Sequence, residues 1–270
     1  MICVQSYEKI LRYQKKIVPL QRFLCKHSRM TILCIETSTS VCSAALWQDG
    51  VVLAQRISRE GGNHAKLLPT FLHDMQYCLG LTRRDLDAVS VSTGPGSYTG
   101  LRIGVSTAKG LCYGWQVPLV AIPTLEILCA SATANSKWLT ANGGLLCPMI
   151  DARRMEVYTA LYDSALKPQS EVTASIIDET FAGQFGENHA PIYYFGDGAA
   201  KAQPVLSHKP WQYIPDIVPE AQFMGALAAE RMKMKGERTK EVLEGNAIAY
   251  YEPFYLKEFV AAQSHVKGLK

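Results

Sequence analysis

The chain has 270 residues, of which 48% are hydrophobic and 19% are charged, and its formal net charge is +4. This composition supplies enough apolar side chains for a folded core and excludes collagen-like, mucin-like and coiled-coil proteins. Seven basic residues and one acid fall within residues 1–29, so the other 241 residues carry a net charge of −2. No overall basic field therefore argues for nucleic-acid binding.

Residues 1–29 form a basic N-terminal extension without the apolar core and cleavage site of a signal peptide. We expect Met30 to be the initiator, and the extension to be a disordered arm or the product of an upstream start. The eight cysteines, Cys78 among them, form no CxxC pair and are expected to be reduced, buried hydrophobes. Because no apolar run reaches the roughly 18 residues of a membrane helix, we expect a soluble, cytoplasmic protein without membrane contacts.

The first half of the chain predicts the element order β-β-β-α-β-α-β-α. Three β-rich runs separated by turn signals predict an antiparallel meander, in which Asp49-Gly50 makes a tight hairpin turn. A helix is predicted after Asn63, although Pro69 lies within it. The later elements are predicted as a strand over 86–92, a helix over 99–114, a strand over 118–122 and a helix over 124–132.

The second half begins after a polar connection around 134–144 and partly repeats the first. Strands are predicted over 145–150, 156–162, 170–175 and 193–198, followed by a helix over 222–235 that Gly236 closes. The pattern predicts a first lobe over 30–133 and a second, smaller lobe over 134–270. Whether the C-terminal segment stays with the second lobe or returns to the first is open at this point.

The glycine loop Gly94-Pro95-Gly96 stands between a predicted strand and a predicted helix. Ser97 and Thr99 can cap that helix, and Arg102 follows one turn later. Two interpretations fit: a helix N-terminus that binds an anion, or a close strand-to-helix turn stabilised by its caps. Neither the Walker A pattern nor GxGxxG matches the loop.

Taken together, six sequence pieces resemble the bacterial TsaB (YeaZ) family. In chain order they are ILCIETSTSVCSAAL, HAKLLP, GPGSYTGLRIG, AKGL, MIDARRMEVY and YEPFYLK. The resemblance implies an α/β protein of the ASKHA (actin-like, RNase H-like) fold with two related lobes. It also implies a non-catalytic scaffold subunit that binds a TsaD-like catalytic subunit and supports threonylcarbamoyl transfer to adenosine 37 of tRNA. A TsaE-like ATPase and tRNA would be reached through the complex, and the chain alone could form a homodimer.

The resemblance also implies no catalytic residue, metal or cofactor in this chain alone, with ATP or ADP binding only at the complex with TsaD and TsaE. TsaD-like proteins hold a metal with HxxxH, whereas His64 is followed four positions later by Leu68, which has no lone pair to offer. The first turn reads Glu36-Thr37-Ser38 where ASKHA phosphotransferases have Asp-x-Gly. A vestigial nucleotide site would consist of Glu36, Ser38, Gly94, Gly96, Ser97, Gly196 and Gly198.

The predicted first helix carries more apolar residues than one core-facing stripe needs, which indicates a contact with a partner. The predicted interface consists of Leu67, Leu68, Phe71, Leu72 and Met75, with Arg102 and Val105 from the next helix. Asp151 and Arg153 follow a buried strand. They fit either an ion pair of Asp151 with Arg153 or Arg102 that joins the lobes, or an anion site.

An enzyme remains the alternative: a stand-alone ASKHA phosphotransferase or an M22-type metallopeptidase. It predicts ATP turnover or a bound metal, and Glu36, Thr37 and Leu68 count against it.

Overall fold

The computed structural model describes residues 29–136, 139, 143–185, 191–207, 210–234 and 241–257. The predictions for residues 1–28 and for a helix end at Gly236 lie outside these ranges. Within them, no helix is both long enough and apolar enough to cross a membrane.

The first sheet has six strands in the order β11-β5-β4-β1-β2-β3. Their bounds are β1 Thr31–Glu36, β2 Cys42–Gln48, β3 Val51–Ser58, β4 Ala88–Ser92, β5 Leu119–Ile122 and β11 Val242–Leu243. Strands β1 to β3 form the predicted antiparallel meander, while β4 and β5 run parallel to β1. At the β2–β3 turn, Asp49 and Gly50 both have positive φ, of 45° and 88°, which is typical of a type I′ hairpin turn.

Helices cover both faces of this sheet. One face carries α1 His64–Leu79 and α2 Tyr98–Trp115, and the other carries α5 Met224–Lys233. The other described helices are α3 Thr124–Asn135, α4 Gln203–Leu206, which packs in a core of the second sheet, and α6 Asn246–Tyr250. Because side chains alternate along a strand, Leu33 and Ile35 pack in the core beneath α1 and α2, whereas Ile32 and Cys34 pack in the core beneath α5. The sheet is therefore buried on both faces, and β1 is buried at all six positions.

The second sheet has five strands in the order β10-β9-β6-β7-β8. Their bounds are β6 Leu145–Asp151, β7 Glu156–Thr159, β8 Thr173–Ile176, β9 Ile192–Phe195 and β10 Trp211–Ile214. An antiparallel β6–β7–β8 meander adjoins the parallel strands β9 and β10, which repeats the β3-β2-β1-β4-β5 order of the first sheet. The α/β class with two related lobes is thus confirmed.

Helix α3 lies between the two sheets. Its Ile127 packs in a core of the first sheet, whereas Leu125 and Leu128 pack in a core of the second. The described C-terminal residues pack on the first sheet: Val242 pairs with Val120 of β5, and α6 contacts α2.

Candidate functional site

Four turns follow the carboxyl ends of the parallel strands β1, β4, β6 and β9. In doubly wound sheets, ligand sites lie at such strand ends. Here the turns carry the sequence-predicted groups: Glu36 to Ser38 after β1, the glycine loop after β4, Asp151 at the end of β6, and Gly196 to Gly198 after β9.

Glu36 is fully buried at the end of β1. Its Oε1 accepts hydrogen bonds from the Ser38 amide at 2.6 Å and the Ser38 hydroxyl at 2.5 Å. Burial raises the pKa of Glu36 to about 7, against the opposing effect of the Ser38 and Ser92 hydroxyls, and the charge of Asp197 adds to the rise. Within the described part of the chain, the buried Oε2 has no aligned hydrogen-bond donor. The carboxyl is therefore held in an environment that favours its neutral form.

The glycine loop and the start of α2 pack directly on the turn after β1. A Cβ at Gly96 would overlap the carbonyl oxygen of Ser38, and one at Gly100 would overlap that of Thr37. The Ser97 amide donates to the Ser38 carbonyl oxygen at 2.7 Å. These glycines therefore allow two backbones to meet closely.

The amides of the loop are engaged within the chain. Gly94, with φ of 106°, donates its amide to the Thr124 hydroxyl at 3.1 Å, and Ser97 Oγ caps α2 by accepting from the Gly100 amide at 3.3 Å. The Phe254 carbonyl oxygen lies against the Gly94 Cα, where a Cβ would overlap it. These contacts are those of the close strand-to-helix turn. Nucleotide binding at the predicted vestigial site stays a prediction.

The turn after β9 carries Asp197, whose charge acts on Glu36. Gly196 has φ of 114° and packs on the Met149 carbonyl oxygen, and Gly198 packs on the backbone at Asp151. Asp197 is exposed, yet its surroundings desolvate the carboxyl enough to raise its pKa. Its charge also contributes to the raised pKa of Glu36, so the two turns interact electrostatically.

The expected ion pair of Asp151 with Arg153 or Arg102 is wrong. Asp151 Oδ1 instead pairs with Lys201 Nζ at 2.5 Å, and Lys201 also donates to the carbonyl oxygens of Arg154 and Glu156. Arg153 contacts Asp151 through its backbone amide, at 2.8 Å. Lys201 lies in a 3-10 turn, Ala199–Ala202, fifty residues further along the chain, so no local signal points to it.

The predicted interface divides into core and surface positions. Leu68, Met75 and Val105 are at most 3% exposed and pack in the core of the first sheet, so their prediction as surface contacts is wrong. Leu68 and Met75 are seven residues apart, which places both on the inner face of α1.

The other apolar positions of α1 lie nearer the surface. Leu67, Phe71 and Leu72 are half-buried, whereas Tyr77 of α1 and Tyr113 of α2 are more than 80% exposed. Cys78, next to the last residue of α1, is also exposed, contrary to expectation.

His64 opens α1 and is buried. Its Nε2 lies 2.9 Å from the Thr39 carbonyl oxygen and 3.2 Å from that of Val41, so the ring links the helix to the start of β2. In the described ranges, no three His, Cys, Asp or Glu side chains form a group that could hold a metal ion.

Comparison with known proteins gives three kinds of match. The family model of TsaD, the tRNA N6-adenosine threonylcarbamoyltransferase, matches residues 52–184. The tRNA threonylcarbamoyladenosine biosynthesis protein TsaB of Bacillus subtilis is 32% identical over 74% of this chain and 81% of its own length. TsaB of Escherichia coli is 30% identical over 86% of this chain and 96% of its own length.

Among solved structures, YeaZ from Pseudomonas aeruginosa matches with a TM-score of 0.71 at 23% identity. The match covers 84% of this chain and all of the YeaZ chain, and it shows the shared fold. With two lobes of matching strand order and two relatives at 30% identity or more over most of its length, the chain belongs to the TsaB (YeaZ) family.

Proposed function

We propose that this chain is a subunit in the biosynthesis of threonylcarbamoyladenosine in tRNA. In this role it binds a TsaD-like catalytic subunit and performs no chemistry of its own. The names of its TsaB relatives support the process. A TsaE-like ATPase would join through the complex.

The observation that carries the scaffold role is the outer surface of α1 and α2. Leu67, Phe71 and Leu72 pack against this chain's own core yet stay partly exposed, and two tyrosines of the same helices, Tyr77 and Tyr113, expose 83% and 81% of their surface. Partly exposed apolar side chains and exposed tyrosines on one pair of helices are typical of a protein interface. A TsaD-like subunit would complete their burial, and a second copy of this chain could do so in its absence.

The test is a scan of single Glu substitutions along α1. We expect Leu67→Glu, Phe71→Glu and Leu72→Glu to leave the chain folded but to weaken binding of the TsaD-like subunit by about thirtyfold or more, because an unpaired charge would be buried at the contact. Thr70→Glu, at an exposed position of the same helix, is the matched control and should bind as wild type. Binding is measured by titration with the purified subunit, and function by tRNA modification with both chains present.

The buried positions provide a second control. Leu68→Glu and Met75→Glu should lower thermal stability instead, since both side chains face this chain's own core. Folded Leu67, Phe71 and Leu72 variants that bind and support modification as wild type would contradict the proposal. The phosphotransferase alternative, against which Glu36 and Thr37 count, is tested with the same protein. It would show as ATP turnover by this chain alone that Glu36→Gln abolishes.

A further inference from the structure

Aromatic rings and cations alternate along a surface strip that crosses both lobes. It runs from the start of α2, over the described C-terminal residues, to the turn between β6 and β7. The aromatic–basic strip consists of Arg102, Tyr98, Tyr255, Lys257, Tyr158 and Arg153.

One end of the strip borders a groove of about 390 Å³ between α2 and the C-terminal segment. The Arg102 guanidinium lies 5.3 Å from the centre of the Tyr98 ring and donates to its hydroxyl at 3.1 Å. The Tyr98 and Tyr255 ring centres are 5.0 Å apart. Lys109 holds the segment in place by donating to the carbonyl oxygens of Ala249 and Tyr251, at 2.6 and 2.9 Å. The rings are therefore presented from a fixed backbone.

The other end lies on the second sheet. Lys257 pairs with Glu156 and lies 5.9 Å from the centre of the Tyr158 ring. Burial raises the pKa of Tyr158, the charge of Lys257 lowers it, that of Glu156 raises it and that of Arg153 lowers it. Lys257 is the cation that lies beside this ring. The acid next to the arginine turn, Asp151, is already matched by Lys201.

Arg153 and Arg154 are the unmatched cations of this end. Both are exposed, and neither side chain forms an ion pair with any residue that the structure describes. Their φ angles are 69° and 50°, in the left-handed region that favours Gly and Asn and that costs other residues about 1 kcal/mol or more each. Gly or Asn would adopt this backbone conformation at a lower cost than two adjacent arginines. The arginines are therefore explained better by a function of their side chains than by the conformation of the turn.

We propose that the aromatic–basic strip and the adjacent Arg154 bind single-stranded RNA, with bases stacked on the tyrosines of the strip and phosphates held by Arg153 and Arg154. Interleaved rings and cations suit the alternating bases and phosphates of an unpaired strand. Planar guanidinium groups can bind a phosphate through two hydrogen bonds. A protein partner could use both the rings and the cations, since tyrosine and arginine are also enriched at protein interfaces, and the last outcome below distinguishes it from RNA.

The charges also give the strand a preferred placement. Glu252 lines the groove at the Tyr98 end, where it disfavours a phosphate. Stacked bases therefore belong over Tyr98 and Tyr255, and phosphates belong beside Arg153 and Arg154. This goes beyond the proposed function, in which tRNA is reached through the complex, because here the chain itself contacts RNA.

The test is binding of the full chain to a fluorescent, mixed-sequence oligoribonucleotide of about 12 nucleotides, followed by anisotropy. Tyr255→Leu should weaken binding about tenfold through lost stacking. The double variant Arg153→Ala/Arg154→Ala should weaken binding about tenfold. It should also lower the slope of log affinity against log salt concentration by the amount expected for about one to two lost phosphate contacts. Melting temperatures near that of wild type would establish that both variants fold.

Matched controls lie outside the strip. Tyr250→Leu removes a more exposed tyrosine, and Arg84→Ala removes an exposed arginine. Both should bind the RNA as wild type does. No binding by the full chain at about 100 μM would overturn the proposal, as would variants that weaken binding no more than these controls.

A further outcome separates this proposal from the proposed function. If the double arginine variant no longer binds the TsaD-like subunit but still binds RNA, the turn between β6 and β7 contacts the protein partner and the RNA proposal fails. If the variant loses RNA binding but still binds the TsaD-like subunit, the result supports RNA binding by the aromatic–basic strip. This holds for any result of the Glu substitutions along α1.

Discussion

Glu36 is buried in a place where few hydrogen bonds stabilise its charged form. Its Oε1 receives two hydrogen bonds from Ser38, but burial still raises its pKa from 4.5 to about 7. Between those two values, the folded protein binds a proton that the unfolded chain has already lost. The free energy of unfolding should therefore fall as the pH rises from about 4.5 to 7, and should level off above that.

The first prediction is that Glu36→Gln removes this pH dependence. The glutamine amide keeps the shape of the side chain and an acceptor for Ser38, but it never ionises. The free energy of unfolding of the variant should therefore rise relative to that of wild type as the pH rises, by roughly 3 kcal/mol at pH 8. Urea unfolding at pH 5, 6, 7 and 8 measures the difference. Glu60→Gln, at an exposed acid, should follow wild type. A Glu36→Gln profile parallel to that of wild type would contradict the assignment.

At the scale of elements, the contact between α2 and the turn after β1 positions the candidate site. Gly104 of α2 lies against the Thr37 hydroxyl, which donates to the Gly100 carbonyl oxygen at 2.8 Å. A methyl group at Gly104 would overlap that hydroxyl oxygen. The helix can then stay in place only by displacing the turn that carries Glu36.

The second prediction compares two glycines of this one helix. Gly104→Ala should destabilise the protein by about 1–3 kcal/mol, because the added carbon overpacks the contact. Gly110→Ala should stabilise it by about 0.5–1 kcal/mol, since nothing lies within 4 Å of the new carbon and alanine is the better helix former. Urea unfolding of both variants measures the difference. A Gly104→Ala variant as stable as Gly110→Ala would show that α2 does not pack closely on the turn.

The elements that the sequence predicts best depend on neighbours in the chain. The β2–β3 hairpin follows from Asp49-Gly50, and α2 begins and ends within one residue of its predicted limits because Ser97 caps it. Burial on α1 was harder to predict. The apolar spacing indicates a helix, but the sheet beneath it decides that Leu68 faces inward and Phe71 lies nearer the surface.

Long-range partners in the site could not be predicted for the same reason. Lys201 reaches Asp151 only because β6 and β9 lie side by side in the second sheet. The raised pKa of Glu36 likewise depends on burial by elements distant in sequence, among them the glycine loop. Its position after a β-strand could be read from the sequence, but its environment could not.

At the scale of the whole molecule, two lobes of the same strand order share helices and buried charges. Helix α5 packs on the first sheet although it follows the second in sequence, and α3 lies between the sheets. Arg231 of α5 binds Glu126 of α3 through two hydrogen bonds, at 3.1 and 2.6 Å, and lies 3.3 Å from a carboxylate oxygen of Glu241, just before β11. One guanidinium thus links three separate parts of the fold.

This ion pair is shielded from solvent. The side chains of Arg231 and Glu126 are only 12% and 14% exposed. Burial alone would lower the pKa of Arg231, but the hydrogen bonds and charges of Glu126 and Glu241 raise it. Removing one partner would leave a nearly buried charge unmatched, which is the costly way to break such a pair.

The third prediction is that Arg231→Leu lowers the free energy of unfolding by roughly 3 kcal/mol, and that the double variant Arg231→Leu/Glu126→Leu recovers much of the loss. Arg59→Leu is the control, because Arg59 is 61% exposed and its partner Glu220 keeps donors in Gln55 and Gln222. It should cost about 1 kcal/mol or less. Urea unfolding of wild type, Glu126→Leu and these three variants forms the comparison. If Arg231→Leu costs no more than Arg59→Leu, or if the two losses in the double variant simply add, the buried pair does not hold α3 and α5 together.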